Sequence, residues 1–273
     1  MPYPQSVTLH TRARTRRPAW SILLLAAAVA AICVLALWRP WQGASAPAAG
    51  APGAVAAVAP AALELPAAPR VLVFGDSWTY GSAASEPTLG YAYVAAETLG
   101  WDAIVDGVRG SGYLKPGIDG GSFGERIAAL DPALDPDLVI VQGSINDRRQ
   151  GASGYREAVD AAWDDLSARY PDARVVILGP APQVLPVEPE TARIDGDLRE
   201  RAAARGWWYL SPLTDEWITP ERYREVIDTS DIGRDHPSTA GHAYLASRLV
   251  EALGSISVTT DAAIDAPLSP LVP

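Results

Sequence analysis

The chain has 273 residues and a formal net charge of −10, with 22 Lys and Arg against 32 Asp and Glu. This acidic balance argues against nucleic-acid binding, which depends on basic side chains that neutralise phosphates. The single cysteine, Cys33, leaves no pair for an intrachain disulfide and no basis for a cysteine metal site.

The first part of the chain has the pattern of a membrane anchor. Residues 1–20 contain four arginines and precede an uncharged apolar run at 21–38, which as a helix would span about the thickness of a bilayer core. Because only Arg39 follows the run closely, we predict a cytoplasmic N-terminus and an extracytoplasmic domain. The alternative is a cleaved signal peptide, since small residues occur at 44–46, but the run is longer than a typical signal core.

A tether and then a single α/β domain are predicted to follow. Residues 39–69 are mostly Ala, Pro and Gly, which is typical of an extended linker, whereas the tail at 255–273 is predicted to be flexible. Between them, from 70 to 254, short apolar runs alternate with helical patterns. Strands are predicted at 71–74, 103–105, 138–141, 175–178 and 207–210, and helices at 89–99, 123–130, 154–169, 191–205 and 238–253. This alternation predicts a three-layer α/β/α fold with a five-stranded parallel sheet.

Loops rich in glycine and polar residues follow three of these strands and precede the last helix. The first strand leads into Gly75-Asp76-Ser77, the second into a loop that contains Gly110, and the third into Gly143-Ser144-Ile145-Asn146. His236-Pro237 stands before the last helix. Because ligands bind at the carboxyl edge of a parallel sheet, we expect these residues to lie close together.

In order and content, these four blocks resemble those of the SGNH (GDSL-type) hydrolases over about residues 70–254. The resemblance implies a flavodoxin-like sheet and a serine esterase that forms a covalent acyl-enzyme. It implies Ser77 as the nucleophile and His236 as its base. It also implies three donors to the oxyanion, namely the backbone N–H groups of Ser77 and Gly110 and the side-chain amide of Asn146.

The histidines support this assignment independently. A serine hydroxyl is a weak nucleophile until a base accepts its proton, and histidine is the side chain suited to that task near neutral pH. The chain has three histidines, of which His10 precedes the apolar run. His236 lies in a loop that could face the end of the first strand, whereas His242 lies within a helical pattern and is interpreted as structural.

The group that orients His236 departs from the pattern of the resembled family. That family has an aspartate three residues before the histidine, where this chain has Gly233. Asp235 is the preferred substitute, although adjacent side chains in extended backbone point apart. Asp231 could reach the ring if residues 232–235 form a turn. A third alternative is a backbone carbonyl in place of any carboxylate.

Ser122 lies in a second recognisable pattern, G-x-S-x-G at residues 120–124. As a nucleophile elbow this pattern would need a strand directly before it, and residues 115–119 are predicted to form a loop. Ser122 and Glu125 instead have the spacing of a helix capping box. With two histidines and no cysteine in the outer domain, the sequence predicts neither a metal nor a cofactor.

These observations predict an exported serine esterase that cleaves O-acyl esters. The expected substrate, and the expected partner, is an acylated small molecule or a cell-envelope glycan with short acyl groups. No nucleic-acid partner is expected. Two alternatives stay open: an O-acyltransferase that passes the acyl group to a glycan, and a non-catalytic glycan-binding module of the same fold.

Overall fold

A computed structural model of the chain describes residues 60–257. The predicted cytoplasmic segment at 1–20, the apolar run at 21–38, most of the tether and nearly all of the tail lie outside the described residues. Between residues 60 and 257, no helix combines the length and the apolar character that a membrane crossing requires.

Strands and helices alternate through the domain as the sequence predicts. The strands of the main sheet are β1 (Arg70–Gly75), β2 (Asp102–Gly107), β3 (Leu138–Gln142), β4 (Arg174–Leu178) and β5 (Trp208–Leu210). The helices are α1 (Ser77–Tyr80), α2 (Tyr91–Leu99), α3 (Phe123–Ala128), α4 (Tyr155–Arg169), α5 (Pro189–Ala204), α6 (Tyr223–Val226) and α7 (Thr239–Ile256). A short antiparallel ribbon joins β6 (Ile227–Asp228) to β7 (His236–Pro237).

The main sheet is entirely parallel, with the strand order β2-β1-β3-β4-β5. The predicted α/β fold with a five-stranded parallel sheet is therefore confirmed, and this order is that of flavodoxin-like sheets. From β1 the chain goes on to β2 on one side of β1, and from β2 it crosses back to β3 on the other side of β1. The switch point between β1 and β3 is where such sheets form a ligand crevice.

Helices cover both faces of the sheet, which explains why the strands read as continuous apolar runs. Alternate residues of β1 point to opposite faces, so Val73 packs in one core cluster and Phe74 in the other. The first cluster includes Leu249 of α7, and the second includes Phe123 of α3 and Trp163 of α4. With both faces covered, the carboxyl ends of the strands are where ligands are expected to bind.

The packing of the domain begins before residue 70. Leu63 is buried, with 2% of its surface exposed, and its N–H donates to the carbonyl of Ile256 at 2.7 Å. The indole N–H of Trp208 donates to the carbonyl of Ala61 at 3.0 Å. Residues assigned to the tether by composition therefore contact the domain, and α7 continues two residues beyond the predicted boundary at 254.

Candidate active site

Ser77 stands at the carboxyl end of β1, where the chain turns sharply into α1. The carboxylate of Asp76 caps this helix by accepting the N–H of Trp78 at 2.9 Å. Gly75 allows the close turn, because a Cβ there would lie 2.2 Å from Thr79 Oγ1. The local sequence therefore holds the Ser77 side chain at the crevice, with 5% of the residue exposed.

His236 approaches Ser77 from the β6–β7 ribbon. Its Nε2 lies 2.9 Å from Ser77 Oγ, and its Nδ1 lies 3.0 Å from the carbonyl oxygen of Gly233. Because a carbonyl oxygen only accepts, Nδ1 must carry the ring proton of the neutral imidazole. Nε2 is then free to accept the proton of Ser77, which is the arrangement that general-base catalysis needs.

A tight turn brings the Gly233 carbonyl to the ring. Arg234 and Asp235 both adopt left-handed backbone conformations, with φ values of 50° and 60°. The N–H of Asp235 donates to the carbonyl of Asp228 at 3.0 Å, and the N–H of His236 donates to Gly233 O at 3.1 Å. Gly233 is tightly enclosed, because a Cβ there would lie 2.2 Å from Cγ of Asp228.

The expected hydrogen bond between Asp235 and His236 is absent from the structure. Among residues 60–257, no carboxylate, including that of Asp231, hydrogen-bonds to either ring nitrogen of His236. The physical reason is the turn, which places the Gly233 carbonyl at Nδ1 and leaves no place there for a side chain. Of the three alternatives for the orienting group, the backbone carbonyl is the one that the geometry supports.

This geometry predicts a small effect for Asp235→Asn. Because Asp235 makes no hydrogen bond to the ring, kcat for ester hydrolysis should stay within about threefold of wild type. Loss of a true triad aspartate costs about 10⁴-fold in a serine protease. Steady-state kinetics of Asp235→Asn, with Asp231→Asn as the matched control, would check this. A loss of three or more orders of magnitude in either variant would restore a carboxylate as the orienting group.

The pH dependence of kcat/KM should also reflect that no carboxylate among the described residues hydrogen-bonds to His236. Burial lowers the pKa of His236 below its usual value, and the hydrogen bond from Nδ1 to the Gly233 carbonyl only partly offsets this. The base is neutral above its pKa, so kcat/KM should fall on the acid side with a midpoint below about 6.5, the value of a free imidazole. A midpoint above that value would contradict this.

A control variant identifies the group that titrates. Asp76 is fully buried, and burial raises its pKa to about 7, so it could ionise in a similar range. In Asp76→Asn the acid limb should persist if it belongs to His236. Its disappearance would assign the limb to Asp76.

Asn146 and Gly110 lie on the other side of the crevice. Asn146 follows β3 in a 3₁₀ turn, and its Nδ2 donates to the carbonyl of Ser111 at 2.9 Å. The second amide hydrogen has a longer contact, 3.4 Å, with Asp76 Oδ2. Gly110 has a φ of 76°, a conformation that favours glycine. The residues expected to donate to an oxyanion are therefore linked through the Gly110-Ser111 segment.

Asp147 is a site residue that the sequence analysis missed. Its buried carboxylate accepts the N–H groups of Tyr113 at 2.7 Å and of Leu114 and Lys115 at 3.1 Å each. It also accepts the hydroxyl of Ser144 at 2.5 Å. Through these hydrogen bonds, Asp147 holds the loop that follows Gly110 close to the end of β3. The available signal was a second polar residue directly after Asn146, although Arg148 and Arg149 follow it and make the segment look like a charged surface loop.

Ser122 and His242, which the sequence analysis interpreted as structural, have the structural roles predicted for them. Ser122 caps α3, and Glu125 completes the capping box by accepting the N–H of Ser122 at 2.7 Å. His242 is fully buried, with Nε2 donating to Ser82 O at 3.0 Å and Nδ1 accepting the N–H of Tyr91 at 3.2 Å. Burial lowers the pKa of His242 to about 4, so it is a neutral structural group at ordinary pH.

The arrangement contains a serine hydroxyl and a neutral imidazole in hydrogen-bond contact, with the amide of Asn146 beside Asp76. That combination can carry out acyl transfer without a metal. Within the part of the chain that the structure describes, no three His, Cys, Asp or Glu side chains are grouped to hold a metal ion.

Comparisons with known proteins agree with this chemistry. The model of the GDSL-like Lipase/Acylhydrolase family matches residues 73–244, which include Ser77, Gly110, Asn146 and His236. The chain is 30% identical over 192 residues to GDSL lipase Rv0518 of Mycobacterium tuberculosis, an alignment that covers 66% of this chain and 79% of that protein.

Solved structures share the fold at low sequence identity. The native aryl esterase of M. smegmatis is 19% identical with a TM-score of 0.53, over 69% of this chain and 100% of the esterase chain. A carbohydrate acetylesterase family member from Sinorhizobium meliloti is 14% identical with a TM-score of 0.52, over 68% of this chain and 98% of that chain.

Proposed function

Because the chain belongs to the GDSL-like lipase/acylhydrolase family of ester hydrolases, we propose that it cleaves O-acyl esters through a covalent acyl-enzyme on Ser77. The observation that carries this proposal is the 2.9 Å contact between Ser77 Oγ and His236 Nε2. No other base within the described residues lies in hydrogen-bond contact with that hydroxyl. The Nδ1 contact with Gly233 O supports the tautomer in which Nε2 accepts a proton.

The reaction follows from these two side chains. Ser77 Oγ attacks the ester carbonyl carbon while His236 Nε2 takes the hydroxyl proton, and a tetrahedral oxyanion forms. When this intermediate collapses, the bond from carbon to the alcohol oxygen breaks, and the imidazolium returns the proton to the leaving alkoxide. Water then attacks the acyl-enzyme with His236 again as the base, which releases the acid and regenerates Ser77.

The oxyanion is proposed to be bound by the N–H groups of Ser77 and Gly110 and by the amide of Asn146. The shared Gly110-Ser111 segment supports this, since Asn146 donates to Ser111 O at 2.9 Å. The second amide hydrogen has only the 3.4 Å contact with Asp76, so it is available to a ligand that offers a better acceptor. Preorganised donors of this kind commonly account for about 10²–10³-fold in rate each.

For the substrate, we propose a short acyl group on a cell-envelope glycan or on an acylated small molecule. The predicted export of the domain supports the envelope, and the fold shared with a carbohydrate acetylesterase family member is consistent with a sugar ester. In the same proposal residues 21–38 anchor the protein in the membrane, and the domain lies outside the cytoplasm. Of the predicted tether at 39–69, residues 39–60 link the two, since Ala61 and Leu63 contact the domain. Transfer of the acyl group to a glycan is the alternative outcome of the same acyl-enzyme.

Trapping the acyl-enzyme tests the proposal. Rapid quenching of the full chain with p-nitrophenyl acetate, followed by peptide mass analysis, should find one acetyl group on Ser77 and none on Ser122, the matched control serine. Acetylated glycans and small acetyl esters would then be compared by kcat/KM, and added glycan acceptors would reveal transfer. Acetylation of Ser122, or turnover without any burst of product or acylated serine, would contradict the mechanism.

A further inference from the structure

A buried arginine links the strand ends behind the candidate site. Arg126 lies in α3, has 8% of its surface exposed, and places its guanidinium 4.1 Å over the ring of Phe74. Its Nη1 donates to Gly75 O and to Ser111 Oγ, both at 2.9 Å. Its Nη2 donates to the carbonyl and to Oδ1 of Asp106, both at 2.8 Å.

The acceptors belong to three segments that meet at the crevice. Gly75 ends β1 and stands two residues before Ser77, and Asp106 lies at the end of β2. Ser111 directly follows Gly110, and its carbonyl accepts the amide of Asn146 at 2.9 Å. One guanidinium therefore connects the segment that carries the nucleophile to the segment that carries the expected oxyanion donors.

Core stability alone does not explain a charged group at this position. Burying a guanidinium is costly, and apolar residues of similar volume are often equally good or better for stability. Among residues 60–257 Asp106 is the one ion-pair partner of Arg126, and 31% of the Asp106 side chain is exposed. What an arginine adds is a planar fork of donors with fixed directions, which a lysine ammonium does not provide.

We propose that Arg126 is a positioning residue for oxyanion binding. It sets the separation between Ser77 and the Gly110-Ser111 segment and, through Ser111, the orientation of Asn146. It touches neither the substrate nor the reacting atoms. The inference rests on the proposed function, because it assumes that these donors bind the oxyanion.

The test compares Arg126→Lys with Arg169→Lys in the full chain. Arg169 is a matched control, since its guanidinium also binds backbone carbonyls, Leu130 O at 2.6 Å and Ala128 O at 2.7 Å, without contacting the site. Arg126→Lys should lower kcat by about 10²-fold with KM within about twofold, because small displacements of positioned groups cost rate rather than ground-state binding. Arg169→Lys should keep kcat within about twofold, even if its melting temperature falls.

Ser111→Ala is the second variant, because it removes the hydroxyl that Arg126 Nη1 reaches and keeps the arginine itself. The hydroxyl accepts from Arg126 and donates to the carbonyl of Val108 at 2.7 Å, and losing the bond to the charged group should lower kcat by about tenfold. Hydrogen exchange at residues 109–115 gives a readout that does not depend on turnover. Exchange there should accelerate in Arg126→Lys and not in Arg169→Lys.

A double-mutant cycle separates positioning from a general loss of stability. Asn146→Ala alone should lower kcat by about 10²–10³-fold. If Arg126 acts through the donors, adding Arg126→Lys should cost clearly less than it does in the wild-type background. Multiplicative losses, or unchanged kcat and exchange in Arg126→Lys, would overturn the inference. Failure of the proposed function would appear separately, as retained activity in Ser77→Ala.

Discussion

Replacing Ser77 with alanine should lower kcat for ester hydrolysis by about 10⁶-fold, the scale found when a serine nucleophile is removed from a protease. The hydroxyl that attacks the ester is lost, and His236 Nε2 loses its 2.9 Å partner. The neighbouring carboxylate of Asp76 is not expected to replace the hydroxyl, because it caps α1 through the N–H of Trp78. Turnover of p-nitrophenyl acetate by purified variant and wild type is the measurement.

The domain should remain folded in this variant. Within the described part of the chain the Ser77 hydroxyl hydrogen-bonds only to His236, and the helix cap belongs to Asp76. Ser122→Ala is the control, because it removes a serine that only caps α3 and should retain full turnover. Activity of Ser77→Ala within about tenfold of wild type, with an unchanged circular dichroism spectrum, would eliminate Ser77 as the nucleophile.

Replacing His236 with glutamine should lower kcat about as much as Ser77→Ala does, again close to 10⁶-fold. Glutamine can occupy the space and accept a hydrogen bond, but it does not take up a proton near neutral pH. The Ser77 hydroxyl would then lack a base, so labelling of Ser77 by a fluorophosphonate should slow in parallel with turnover. Both rates, measured at a single pH near neutrality, check the prediction.

His242→Gln is the matched control for that experiment. His242 is fully buried and ties α7 to the carbonyl of Ser82 and to the N–H of Tyr91. Its loss should lower the melting temperature and leave kcat of the folded enzyme near wild type. If His242→Gln instead abolished turnover with the fold intact while His236→Gln stayed active, the assignment of the base would be reversed.

The fold was predictable because the apolar and helical patterns of its segments match the burial of those segments in the folded domain. The apolar run at 71–74 became β1 (Arg70–Gly75), and the helical pattern at 238–253 became α7 (Thr239–Ile256). Strands buried on both faces need apolar residues at every position, which makes them visible in sequence. The short ribbon β6–β7 escaped prediction, because two-residue strands have no measurable periodicity.

The principal pair of the site was predictable for a different reason. Ser77 and His236 are 159 positions apart, but Ser77 begins α1 directly after β1 and His236 lies in the short ribbon before α7, so the topology brings them to 2.9 Å at the carboxyl edge of the sheet. For the orienting group the sequence left three alternatives open, and only the fold shows that the contact with His236 Nδ1 is made by the Gly233 carbonyl. It reaches Nδ1 only because Arg234 and Asp235 adopt left-handed conformations that residues other than glycine seldom take.

Arg126 and Asp147 were missed because their partners are distant in sequence. Arg126 contacts Gly75, 51 residues away, and Asp147 contacts Tyr113, 34 residues away. A single charged residue in an amphipathic helix or a polar loop looks like a solvated surface group. Only the folded arrangement shows that these two side chains are buried and hold the crevice loops together.

The close packing around Gly233 limits which residues could replace it during evolution. A glycine codon and an aspartate codon can differ by one base, so a carboxylate three residues before the histidine would be one mutation away. That single step is obstructed here, because the new Cβ would meet Asp228 Cγ at 2.2 Å. Replacing Asp228 would not remove the obstruction, because its backbone carbonyl oxygen would lie 2.5 Å from the same Cβ. The turn itself would have to move, and with it the Gly233 carbonyl that contacts Nδ1 of His236, so selection would tend to preserve the carbonyl-oriented histidine.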